Sequence, residues 1–144
     1  MQNSSSQLQN CIEKIEASYE YMLAYAAQGR KTEPAGAEVN KNPSIRDFLQ
    51  DLIWGIENVT TCFMEEVREL KLEESSMQLI QQFETTLSAD AKSALSVVLM
   101  VLDAPTLSSQ LIDNLNASTH VRTLLTDLFV LDEVLKIHKK KMQG

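Results

Sequence analysis

Apolar residues recur at steps of three and four along most of the chain. From Ser6 to Gln28 they fall at Leu8, Cys11, Ile12, Ile15, Tyr19, Met22, Leu23 and Ala26. At 3.6 residues per turn these positions form one stripe on a helix. Gly29 follows where a helix-ending glycine belongs. Tyr21 and Tyr25 fall toward the edges of the stripe, where a ring packs and its hydroxyl meets water. Residues 30–43 lose the period and hold Pro34, Gly36 and Pro43. They predict a connection of roughly 14 residues, against about 2 to 8 in most helical bundles. It reads as a mobile linker, with a functional loop as the alternative.

Ser44 is placed to cap a second helix, with Asp47 in its first turn. Ile45, Leu49, Leu52, Ile56, Val59, Phe63, Val67 and Leu70 carry its stripe, widened by Phe48, Ile53, Thr60 and Met64. The helix is expected to reach about Glu73, a rod of roughly 40 Å. Ser75 and Ser76 can start a third helix through Met77, Ile80, Phe83 and Leu87; Ser88 offers a second cap, so a break or a bend there stays open. Ala91 to Leu102 is apolar nearly all round, with a thin back at Lys92, Ser93, Ser96 and Met100, which suits the middle of a bundle. Pro105 ends it. A short helix follows on Leu107, Leu111, Ile112 and Leu115. Ser118 or Thr119 then caps a long last helix with two apolar strips. Val121, Leu124, Leu125, Leu128, Leu131, Leu135 and His138 form one, and Phe129, Val130, Val134 and Ile137 the other.

With four glycines and three prolines in 144 residues, little punctuation remains for strands and tight turns. The expected fold is all-α: a single domain over 1–144, a bundle of five or six helices, with residues 1–5 frayed and a basic tail at 139–144. Apolar runs such as Val97 to Leu102 are far short of the roughly 20 residues that span a bilayer, so no membrane is expected. The N-terminal stretch has neither a basic start nor an apolar core, and two cysteines are too few for a disulfide framework. Both point to the cytoplasm, with Cys11 and Cys62 as structural thiols. A net charge of −7 favours solubility and repels nucleic acid at long range. The charge is uneven: Glu65, Glu66, Glu69, Glu73 and Glu74 crowd one helix end and read as a solvated face. Lys136, Lys139, Lys140 and Lys141 suit the negative end of the last helix.

The sequence offers no catalytic constellation. The residue three before His138 is Leu135 and three before His120 is Ala117, so the Glu-x-x-His pairs of two-iron bundles are absent. There is no Cys-x-x-Cys, no His-x-x-x-His and no Gly-x-Ser-x-Gly. No enzyme, metal or cofactor is expected, although a cofactor- or metal-binding bundle built from scattered residues is kept as a third reading. Trp54 projects from the back of the second helix among Asp47, Gln50, Asn58 and Glu65. Leu72, five turns on, points the same way. Tryptophan is enriched among residues that dominate binding, though the first helix or the 30–43 loop could cover it instead. Gly55 beside it costs about 1 kcal/mol relative to Ala in a helix, and a close backbone approach would account for it.

Residues 107–128 resemble the helix-turn-helix of DNA-binding regulators: a short helix, a three-residue turn, then a capped second helix, with Leu111, Leu115, Val121 and Leu124 at buried positions. Asn116 stands where glycine is usual. The resemblance would place Thr119, His120, Arg122 and Thr123 toward DNA, but one arginine is few for phosphate contacts. The favoured reading is a non-enzymatic protein–protein interaction module of adaptor, dedicated-chaperone or inhibitor type. Its partner would be another protein or a second copy of itself, with Trp54, Leu72, Phe129, Val130, Val134 and Ile137 as contact residues. A DNA-binding regulator is the alternative.

Overall fold

The computed structural model describes residues 4–34 and 43–143. The expectation of a mobile linker falls largely on 35–42, outside the described residues; that of a frayed start at 1–5 falls outside them at 1–3, while residues 4 and 5 begin a helix. Five helices are present, with no strand among the described residues: α1 (Ser4–Ala26), α2 (Ile45–Leu70), α3 (Glu74–Leu102), α4 (Ser109–Ala117) and α5 (His120–Gln143).

The stripe of α2 is buried as its spacing requires: Ile45, Leu49, Leu52, Ile56, Val59, Phe63, Val67 and Leu70 all lie in the core. Its start is fixed by a capping box, in which Ser44 Oγ accepts from the Asp47 amide at 3.1 Å and Asp47 Oδ2 accepts from the Ser44 amide at 2.9 Å. Its end comes earlier than the sequence suggests. Lys71 takes a left-handed conformation (φ 54°) as the C-cap, so Leu72 leaves the helix and packs half-buried on the core. Leu72 therefore does not continue the line of Trp54.

α1 lies antiparallel on α2. Ser18 Oγ donates to the Phe48 carbonyl at 2.9 Å, and farther along Gly55 faces Cys11 and Ile15. A Cβ on Gly55 would come within 2.8 Å of Ile15 Cγ1 and 3.1 Å of the Cys11 carbonyl oxygen. The mid-helix glycine is thus explained by close approach of two helices. The stripe of α1 runs Leu8, Cys11, Ile15, Ser18, Met22, Tyr25. Tyr25, expected at the wet edge, is buried, and Leu23, expected inside, is 47 % exposed. The line through Ile15, Ser18 and Met22 passes through residue 25 at the next step of three, and leaves 23 outside.

α3 is one unbroken helix. Ser88 lies exposed in its interior, and Glu73, not a serine, precedes its first turn. Its buried face is Ile80, Leu87, Ala91, Ala94, Val98 and Val101, packed between α2 and α5. Met100 lies on the exposed back as expected, but Leu99 is exposed as well, so the segment after Ala91 is less enclosed than its composition suggests. By length and composition α3 is apolar enough to cross a bilayer. Here that composition serves a one-sided core face. α4 packs chiefly on α1, and α5 chiefly on α3. Ser108 caps α4 by accepting from the Leu111 amide at 3.1 Å. Ser118 does not cap α5; its hydroxyl donates back to the Leu115 carbonyl at 2.6 Å, and Thr119 makes the turn at φ 68°. The lysines expected in a tail sit on α5 itself, which runs to Gln143.

Candidate functional site

Two regions concentrate unusual side chains, and their chemistry differs. The first is the junction where α1 ends, α2 begins and α3 hands over to α4. Arg46, in the first turn of α2, holds Glu33 through two hydrogen bonds of 2.8 Å. Its remaining donors reach the Leu102 carbonyl at 2.8 Å and the Ala104 carbonyl at 2.9 Å. These carbonyls belong to the end of α3 and the turn after it, which lack helical partners and attract a cation. Glu33 Oε1 also accepts from the Leu107 amide at 3.0 Å. The Arg46 hydrogen bonds hold the Glu33 carboxyl below the usual range, against the opposing effect of burial. Beside this pair, the Tyr25 hydroxyl donates to the Leu107 carbonyl. Buried Ser109 donates to the Tyr25 carbonyl at 2.7 Å and accepts from the Arg30 amide at 2.9 Å. Burial raises the Tyr25 phenol above its ordinary value. None of these groups is left over for a substrate: each satisfies a backbone end or another member. Sequence reasoning missed the junction because residues 25, 33, 46 and 109 share no period, and most of their partners are backbone atoms.

Two other polar groups have no counterpart in the sequence reading. Glu66, read as part of a solvated face, is buried and paired with Lys139 of α5, while its Oε1 has no partner. Asp127 of α5 lies against Asp90 of α3. Burial first, and then the hydrogen bond and charge of Asp90, push the Asp127 carboxyl up to about 7. Asp127 Oδ2 is buried without a donor, so the two carboxyls are satisfied together when one carries a proton. Among the described residues no group of three or more His, Cys, Asp or Glu side chains is arranged to hold a metal ion.

The second region is the outer face of α5. Of the two apolar strips, Val121, Leu124, Leu125, Leu128, Leu131 and Leu135 face the core. The other faces solvent: Val130 is 54 % exposed and Ile137, two turns on, 58 %, with Phe129 at 47 % and Val134 half-buried between them. Met142, which the sequence reading passed over, extends the apolar surface. An open groove of about 390 Å³ beside Ile137 is lined by Glu133, Lys136, Lys139 and Lys140. Lys136 also pairs with Asp132 at 3.1 Å.

Trp54 is 42 % exposed, and its ring is partly covered by α1: Lys14 Nζ lies 5.7 Å from the ring centroid and reaches Asp51 at 3.9 Å. In the helix-turn-helix segment, Thr119, His120, Arg122 and Thr123 are all exposed, Leu115, Val121 and Leu124 are buried, and Leu111 is half-buried. The buried face of α4, however, serves mainly to seat it on α1. No protein-family model, curated protein or solved structure matches the chain.

Proposed function

We propose that this protein is a non-enzymatic interaction module that docks an apolar helix of a partner protein along the outer face of α5. The observation that supports this is the second strip of α5: among the described residues, Phe129, Val130 and Ile137 are exposed and Val134 is half-buried. An amphipathic helix laid in such a seam anchors through residues three, four and seven apart. Lys136, Lys139 and Lys140 outnumber Glu133 around the groove beside Ile137, so the fitting partner carries carboxylates beside its apolar face. Adaptor, dedicated chaperone and inhibitor are all uses of such a seam. Trp54 is a separate, smaller contact candidate, because Lys14 already shields part of its ring.

The test is capture from native extract on immobilised protein, comparing wild type with the Val130→Asp/Ile137→Asp double variant. Support is a stoichiometric partner that cross-links to α5 and is lost with the variant. Equal retention by both proteins, or none by either, counts against the proposal. Light scattering on the free protein separates a second copy from a different partner. The helix-turn-helix reading has less support, since it offers Arg122 as the single cation among its four outward residues. A gel shift at low salt that depends on Arg122 would revive it.

A further inference from the structure

α1 and α2 bring the chain's two cysteines together where they pack, with the Cys11 and Cys62 thiols within hydrogen-bond reach of each other. Gly55 admits the Cys11 backbone, and Cys62 lies seven residues beyond Gly55, hence on nearly the same side of α2. The helices are antiparallel, and side chains lean toward the N-terminus of their own helix. Cys11 therefore leans down α1 toward Cys62, and Cys62 leans up α2 toward Cys11. Their environments differ: Cys11 is fully buried and Cys62 half-buried. Burial, reinforced by the neighbouring Cys62 thiol, pushes the Cys11 thiol up to about 12, which keeps it protonated and inert while both residues are reduced.

We infer that Cys11 and Cys62 form a two-thiol modification site, in which a small-molecule disulfide such as oxidised glutathione is reduced and an intramolecular Cys11–Cys62 disulfide forms between α1 and α2. Cys62 is the entry point. Its thiolate attacks one sulfur of the small disulfide, whose S–S bond breaks; one small thiol leaves and a mixed disulfide remains on Cys62. Cys11 then attacks the Cys62 sulfur. Its proton passes to the departing second thiol. Two protein thiols are oxidised by two electrons, and one small disulfide becomes two thiols. The product staples the N-terminal half of α1 to α2. This site is independent of the α5 seam.

The experiment treats folded, reduced protein with a series of oxidised-to-reduced glutathione ratios, traps it with acid, and maps it by mass spectrometry. Wild type is expected to lose about 2 Da and to yield linked peptides containing Cys11 and Cys62, with the circular dichroism unchanged. Cys11→Ser is expected to stop at the glutathione adduct on Cys62. Cys62→Ser is expected to slow modification of Cys11 by at least about tenfold, because the buried thiol loses its relay. A wild-type protein that accumulates only the Cys62 adduct, or that links the two cysteines only in denaturant, overturns the proposal. Should a serine variant fail to fold, the wild-type map alone decides.

Discussion

At the α1–α4 junction, Arg46, Glu33, Tyr25 and Ser109 are bonded to backbone ends or to one another. Along the outer face of α5, side chains as large as Phe129 and Ile137 face water. Both regions lie on helices with sound core faces, so the contrast is not one of folding quality. The junction closes helix ends that would otherwise leave carbonyls and amides unpaired, at a cost of about 1–3 kcal/mol each when buried. The exposed side chains of the α5 strip close nothing among the described residues. Polar residues that satisfy their neighbours are accounted for by stability; the exposed apolar strip is not, and the proposed docking role rests on it.

The largest effect should come from breaking the junction. Arg46→Met removes the partner of Glu33 and the donors to the Leu102 and Ala104 carbonyls. The expected loss is about 3 kcal/mol in urea denaturation. A loss below about 0.5 kcal/mol would make the junction ornamental and erase the contrast. Next comes the α1–α2 contact. Gly55→Val gains helix propensity but drives a branched side chain into Ile15 and the Cys11 carbonyl. A net loss of about 2 kcal/mol is expected by the same assay.

Much of this was legible beforehand. The period of α2 gave its core face residue by residue, and Ser44 with Asp47 gave its start. The end of α2 was not, because Lys71 adopts φ 54° without the glycine that usually announces such a turn. Spacing alone does not decide the continuity of α3 through Ser88, because an exposed serine is tolerated inside a helix that packing already secures. The Glu66–Lys139 pair joins residues 73 apart, a separation no local pattern encodes. On α5 both strips could be read from spacing, and Phe129, Val130 and Ile137, expected on the outward one, are exposed.

A smaller effect tests the acidic pair that seats α5 on α3. The folded Asp127 carboxyl titrates near 7, above its ordinary 3.8. The folded state therefore holds a proton that the unfolded chain releases, and stability falls as pH rises from about 4 to 7. Glu33 works in the opposite sense: its lowered folded value adds stability above the ordinary carboxylate range, lost as pH falls through that folded value. Together they place the optimum at the ordinary carboxylate range, where the gain from Glu33 is complete and the loss from Asp127 begins. Relative to wild type, Asp127→Asn is expected to gain about 1 kcal/mol at pH 8 and to flatten the decline between pH 5 and 8. An unchanged slope would show that the pair does not share a proton.

The most direct measurement pairs urea denaturation with partner affinity for the Val130→Asp/Ile137→Asp protein. The surface strip should be free to change: unfolding is expected to stay within about 0.5 kcal/mol of wild type, while affinity for the captured partner falls at least about a hundredfold. A stability loss above about 2 kcal/mol with affinity retained would place the strip in the protein's own packing, and contradict a docking role for α5.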